Sequence, residues 1–235
     1  MSPLLDAIEE PSYLAIDISS EHLQHAGARL QERHPEVPMQ GICGDYSQPL
    51  ELPLPEVWQN KPMVGFFPGS SLGNFEPDAA INFLQRIRQL MGEKAQLLIG
   101  IDQPREPVLL EAAYDDKAGV SAAFAKNLLI RLQRDLAIEL DPEPFTYQAT
   151  WQPEHQRIAM ALVANSPQTW TVGASSVSFS AGEVLITEYS YKYAPSDFLA
   201  LAAQAGWQAA KRWCDAADHF SLHLLTEGDD ARMNA

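Results

Sequence analysis

The chain has 235 residues, 46% hydrophobic and 20% charged, an ordinary composition for a globular protein with a sizeable core, and its length favours one or two domains. Its formal net charge of −15 argues against a general nucleic-acid binder, because neutralising phosphates takes clustered Lys and Arg; the same acidity serves solubility or the attraction of a small cation equally well. No run of about 18 apolar residues predicts a membrane-spanning helix, and MSPLLDAIEEPSY lacks the basic region and long apolar core of a secretory signal.

In chain order, Ser2 to Glu10 read as the end of a short helix, and PSYLAIDIS as a buried strand closing on Asp17. SSEHLQHAGARLQERHP follows as a helix, capped by Ser19 or Ser20 and stopped before Pro35. VPMQGICGDY is a second strand, and a proline-rich connection leads to a third, MVGFFPG. SSLGNFEP is a tight loop, DAAINFLQRIRQLM an amphipathic helix and AQLLIGID a fourth buried strand. Strands alternating with helices predict a parallel α/β sheet. Beyond Pro107 the pattern changes: Leu109 to Leu140 reads as helices, and FTYQATWQ, QRIAMALVA and VSFSAGEVLITEYSYKY as antiparallel strands. SDFLALAAQAGW restores a helix, and WQAAKRWCD and HFSLHLLTE close the chain as strands. The predicted organisation is an α/β domain over 1–107 and 193–235, interrupted by an inserted α+β unit at 108–192.

Several positions carry chemistry. Asp17 ends a strand where nucleotide-binding α/β folds place an acid on ribose hydroxyls, although a plain polar strand end reads the same. Asp45, in the turn after the next strand, is able to accept an adenine amino group, with Tyr46 packing on the ring; a simple Gly-Asp turn is the alternative. Gly69 and Gly73 in FFPGSSLGNF let backbone approach a ligand, and Asn74 adds a donor and an acceptor beside a helix start; a plain strand-loop-helix turn is the alternative. Tyr114 is either a surface tyrosine among acids or a pocket residue. Strand alternation puts Glu188 and Ser190 on one face, able to grip an imidazole or amine, and Tyr189 and Tyr191 on the other; a solvated sheet face reads the same. The six histidines predict no metal site, since His22 and His25 sit on a solvent-facing helix and no Cys or carboxylate cluster completes a tetrahedral set with His219 and His223. Cys43 and Cys214, far apart and in no motif, read as reduced thiols of a cytosolic protein.

Taken in order, YLAIDIS, GDY, FFPGSSLGNFEP, LLIGID, LEAAYDDKAGVSAAF, RIAMAL, GEVLITEYSYKY and the W-x-D before HFSLHLL resemble the histidine-specific methyltransferases of ergothioneine biosynthesis over nearly the whole chain. The resemblance implies a Rossmann-like class I methyltransferase sheet with an inserted α+β substrate-binding domain. It implies S-adenosylmethionine as cofactor and L-histidine as substrate, methylated on its α-amine towards hercynine; a cytoplasmic monomer is expected beside it. In its terms Asp17 holds the ribose, Asp45 and Tyr46 the adenine, and Gly69 with Ser71 the wall between cofactor and substrate. Asn74 and Tyr114 orient the amino acid's carboxylate and amine. Glu188 and Ser190 bond the imidazole, with Met160 packed nearby. No metal, covalent nucleophile or dedicated base is implied.

The chain also departs from the family pattern. Ala125 and Ala159 stand where Asn or Glu is common, and QPRE where a lysine is often found. The family's N-terminal helical part, first strand and Gly-rich turn precede the stretch matching SPLLDAIEE. An N-terminally truncated product, unstable or weakly active alone, is therefore expected. The rival expectations are a non-catalytic fragment and a methyltransferase for another amino acid; a dinucleotide oxidoreductase is disfavoured by the missing Gly-rich fingerprint.

Overall fold

The computed structural model describes residues 1–58 and 61–228. The chain divides into two compact units, 1–63 with 85–95 and 64–84 with 96–235.

The first unit carries α1 (Ser2–Ala7), β1 (Tyr13–Asp17), α2 (Ser20–Arg33) and β2 (Met39–Cys43). β1 and β2 pair in parallel, from Tyr13 opposite Met39 to Asp17 opposite Cys43. Ser19 caps α2, its hydroxyl accepting the His22 N–H at 3.3 Å. At the other end Gln31 Nε2 donates to the carbonyls of His34, Pro35 and Val37, which fixes the turn that Pro35 forces.

The second unit begins with β3 (Val64–Phe67) and a single 3-10 turn, Ser71–Asn74, within the loop read from the sequence. α3 (Pro77–Met91) has residues in both units. Then come β4 (Gln96–Asp102), α4 (Pro107–Tyr114), α5 (Val120–Leu136), β5 (Phe145–Gln152), β6 (Arg157–Ala164), β7 (Gln168–Val172), β8 (Ser175–Phe179), β9 (Val184–Tyr191), α6 (Pro195–Gln204), β10 (Trp207–Cys214) and β11 (Phe220–Glu227). β3 runs parallel to β4, and β11 and β10 follow antiparallel, giving the order β10-β11-β4-β3. The strand–helix alternation and the closing hairpin make this the Rossmann-like α/β fold the sequence predicts. A second sheet, β5-β6-β9, is antiparallel and buries Phe145, Tyr147, Ile158, Met160 and Leu162 with Leu110 of α4 and Leu129 of α5. Ala125 lies in that same core, and Ala159 is buried opposite Tyr189.

One strand assignment changes. The stretch 177–193, read as a single strand, is the end of β8 and all of β9, parted by a turn at Gly182 with φ +82°, and QTWTV forms the additional strand β7 paired with β8. The Ala-Gly pair reads as strand interior by hydropathy, but the positive φ there breaks the extended backbone.

Two glycines set how closely the site elements pack. A Cβ on Gly100 in β4 would lie 2.0 Å from the Pro68 carbonyl oxygen, and one on Gly73 would lie 2.5 Å from the Tyr191 carbonyl oxygen. The loop after β3 thus rests directly on the backbones of β4 and β9. His223, buried in β11 beside Ser221 Oγ at 2.9 Å, is pushed down to about 4 by that burial and is neutral in the fold. Among the described residues no group of three His, Cys, Asp or Glu is arranged to hold a metal, and no helix is long and apolar enough to cross a membrane.

Candidate active site

In the first unit the two parallel strands each lead to an acid at their carboxyl ends. Asp17 Oδ1 accepts the Ser19 N–H at 2.8 Å, and Asp45 Oδ1 accepts the Ser47 N–H at 2.8 Å. Ser47, through its hydroxyl and then its N–H, holds the Asp45 carboxyl below its usual range, with Arg86 adding a smaller pull. Tyr46 shares this neighbourhood: burial first, then the charges of Asp17 and Asp45, push its phenol up. Two carboxylate acceptors and an aromatic face at the ends of adjacent parallel strands suit a ribose diol and an adenine, where open α/β sheets receive nucleotides.

In the second unit the sheet face covered by α4 and α5 gathers four of the residues singled out in the sequence. Met160 on β6 lies directly opposite Glu188 on β9, and Ile158 opposite Ser190. A bulge on the far side of the Met160–Glu188 pair leaves Thr187 unpaired before Ala161 meets Ile186, and the Thr187 hydroxyl donates to the Met160 carbonyl at 3.1 Å. Tyr114, the last residue of α4, brings its Oη to 2.9 Å from Ser190 Oγ. Glu188 is partly buried, and burial raises its carboxyl pKa. Tyr147 on β5 donates to the Tyr114 carbonyl at 2.8 Å, and its phenol is pushed up to about 12, by burial first and then by Asp115 and Glu188.

The opposite face of β9 holds a different set. Arg157 sits 3.5 Å over the Tyr189 ring and donates to the Tyr191 hydroxyl at 2.7 Å, while that hydroxyl donates to Glu76. This clip ties the segment after the Ser71–Asn74 turn to β6 and β9, as the close approach of Gly73 does from the other side. Asn74 ends that turn and is exposed; Gly69, also exposed, precedes it, and a Cβ there would meet Ser71 Oγ at 3.5 Å. Ser70, between them, adopts the left-handed region at φ +57°, and its hydroxyl accepts the Asp102 N–H at 2.9 Å. A non-glycine residue held there costs about 1–3 kcal/mol and marks a loop over-determined by its neighbours.

Four side chains that the sequence reading did not single out, Lys192, Asp102, Arg105 and Tyr147, complete this cluster. Lys192, one residue beyond β9, is buried with its Nζ 2.6 Å from Tyr114 Oη, 2.7 Å from Ser190 Oγ and 3.0 Å from Asp102 Oδ2. Arg105 takes the other oxygen of Asp102 at 2.5 Å. Tyr147 is the fourth. The signal for Lys192 was present: the alternation that pairs Glu188 with Ser190 continues to 192.

The histidine-specific, S-adenosylmethionine-dependent methyltransferase family model matches residues 1–227. The chain belongs to this family. Over 227 residues the enzyme is 33% identical to the histidine N-alpha-methyltransferase of Mycolicibacterium smegmatis, covering 94% of this chain and 70% of that protein. It is 32% identical over 230 residues to the protein of the same name from Mycobacterium tuberculosis, covering 95% and 70%. Among solved structures, an S-adenosylmethionine-dependent methyltransferase from Clostridium acetobutylicum superposes with a TM-score of 0.48 at 12% identity, covering 97% of this chain and 88% of that one. S-adenosylmethionine is thus the methyl donor of this methyltransferase, and the Asp17, Asp45 and Tyr46 cluster has the chemistry to hold its nucleoside.

Proposed function

We propose that this enzyme methylates the α-amino nitrogen of L-histidine and carries it by successive transfers to the trimethylated product hercynine, in ergothioneine biosynthesis, as a cytoplasmic monomer. One observation carries the reading: Glu188, Ser190, Met160 and Tyr114 share one face of the β5-β6-β9 sheet, with Met160 directly opposite Glu188 and Tyr114 bonded to Ser190. A carboxylate and a hydroxyl side by side complement the two ring nitrogens of an imidazole, one of which carries a proton. The names of the two mycobacterial relatives support the same substrate.

S-adenosylmethionine supplies an electrophilic sulfonium methyl. Asp17 would hold its ribose and Asp45 and Tyr46 its adenine, and Gly69 would let backbone approach a ligand closely. Glu188 and Ser190 hold the imidazole while Asn74 and Tyr114 orient the carboxylate and amine. An amine would accept that methyl only through its lone pair, so it would have to be neutral, and S-adenosylhomocysteine would leave as the C–S bond breaks. A pocket that grips carboxylate and imidazole leaves the amine free to turn between transfers, and solvent takes each proton.

The test is mass spectrometry of the products formed from S-adenosylmethionine and histidine, with phenylalanine, tyrosine and tryptophan as competitors. Mono-, di- and trimethylhistidine appearing in sequence is the expected result. Accumulation at one methyl removes hercynine from the reading, and preference for a bulkier aromatic amino acid removes histidine.

A further inference from the structure

The geometry points to Lys192 as a positioning residue of the substrate pocket: its buried ammonium binds the Tyr114 and Ser190 oxygens and so turns this hydroxyl pair into a hydrogen-bond donor toward the ligand. The inference rests on reading the pocket as the histidine site, and adds which form of the ring it accepts.

Lys192 is 1% exposed. Its three contacts, to Tyr114 Oη, Ser190 Oγ and Asp102 Oδ2, match the three N–H donors of an ammonium. An ammonium has no acceptor, so both hydroxyl oxygens accept from it. The Tyr114–Ser190 contact at 2.9 Å then uses one of the two O–H groups. Whichever way that bond runs, one O–H of the pair is left, and no partner takes it among the described residues.

A hydroxyl by itself turns to donate or accept as its partner requires. Lys192 narrows that choice: it takes one lone pair of each oxygen, and with Tyr114 donating to Ser190 both lone pairs of Ser190 Oγ are filled, so the O–H left over is that of Ser190 and can only donate toward the ring. Glu188, two residues before Ser190 on the same face, supplies an acceptor. The wall therefore offers one donor and one acceptor, the complement of a neutral imidazole with one lone pair and one N–H. An imidazolium has two N–H groups and no lone pair, and meets an O–H and a lysine charge. The other ionisable groups around this wall are Asp102 and Arg105 at the end of β4, Asp115 and Asp116 after α4, and Tyr147 on β5. Asp102 is shared between Lys192 and Arg105, so these three keep a net positive charge.

Calorimetry on the full chain with S-adenosylhomocysteine present tests this, comparing histidine with 1,2,4-triazolyl-3-alanine, whose ring stays neutral, at pH 8 and pH 5.5. With an imidazole pKa of about 6.5, histidine should weaken roughly tenfold more than the analogue on going to pH 5.5. Lys192→Met, which leaves Asp102 paired with Arg105, should raise the histidine Kd about tenfold at pH 8. It should leave the S-adenosylhomocysteine Kd within about twofold and shrink the excess acid penalty below about threefold. A folded variant that keeps the wild-type histidine Kd and acid penalty overturns the assignment, as does one that loses both ligands equally. If the variant fails to fold, the wild-type comparison still decides, because histidine and analogue weakening equally at pH 5.5 removes the donor wall. Wild-type protein that binds no histidine at pH 8 sinks the histidine reading and this inference together; binding with no excess acid penalty sinks the inference alone.

Discussion

The two units hold their candidate site groups in opposite ways. In the first, Asp17 and Asp45 are each fixed by an N–H two residues further on, so each carboxylate is oriented by its own turn. In the second, Asp102, Arg105, Tyr114, Ser190 and Lys192 are fixed by one another, although they come from β4, α4 and the end of β9. Locally held groups fail one at a time, while a buried network shifts as a unit when one member goes. The burial of the elements differs in the same sense: α2 buries no residue, whereas Lys192, Ser190 and Ile158 are all nearly inaccessible.

The largest effect that sharpens this contrast belongs to Glu188→Ala. It removes the carboxylate from the pocket face, and losing a charged partner of a bound ring should cost about 2 kcal/mol, roughly a thirtyfold rise in the histidine Kd. S-adenosylhomocysteine binding should stay within about twofold, and equal loss of both ligands in calorimetry would break the assignment of Glu188 to the substrate. Asp17→Ala should do the reverse and less strongly: the S-adenosylhomocysteine Kd rises roughly tenfold, while Ser19 continues to cap α2. A matching tenfold loss of histidine affinity would count against separate cofactor and substrate groups.

This division also decides how much was legible in the sequence. Asp17, Asp45 and Tyr46 stand at strand ends that hydropathy marks, and their turns are local, so a linear reading reaches the places the structure gives them. Glu188 and Ser190 follow from strand alternation, and Arg157 packed on Tyr189 shows the other face filled by the other parity. Tyr114 reads as an ordinary surface tyrosine until α4 delivers it to Ser190, 76 residues away. Lys192 sits in the predicted strand on the Glu188 and Ser190 parity, but only the convergence of Tyr114, Ser190 and Asp102 gives its charge a buried partner set. The β8–β9 turn was missed for a different reason: hydropathy carries no record of a positive φ at Gly182.

The smallest effect tests whether a local turn in the second unit behaves like those of the first. Asp116 accepts the N–H groups of Ser121 at 2.8 Å and Val120 at 3.1 Å, covering donors that the first turn of α5 leaves open. These bonds, with Ser121 the larger contributor, hold its carboxyl down to about 2. A depressed carboxyl binds its proton less readily in the folded chain than in the unfolded one. Its contribution is therefore complete above the unfolded value of about 3.9 and is lost as pH falls through about 2. Asp116→Ala should lower Tm at pH 7 by about 2 °C, the scale of a lost helix cap in a chain of this size. The difference from wild type should close as pH falls from about 4 to about 2, followed by circular dichroism melts. A gap that persists unchanged at pH 2 would mean that the side chain acts through packing and not through its charge, and a gap several times larger at pH 7 would place Asp116 in the same coupled network as Lys192.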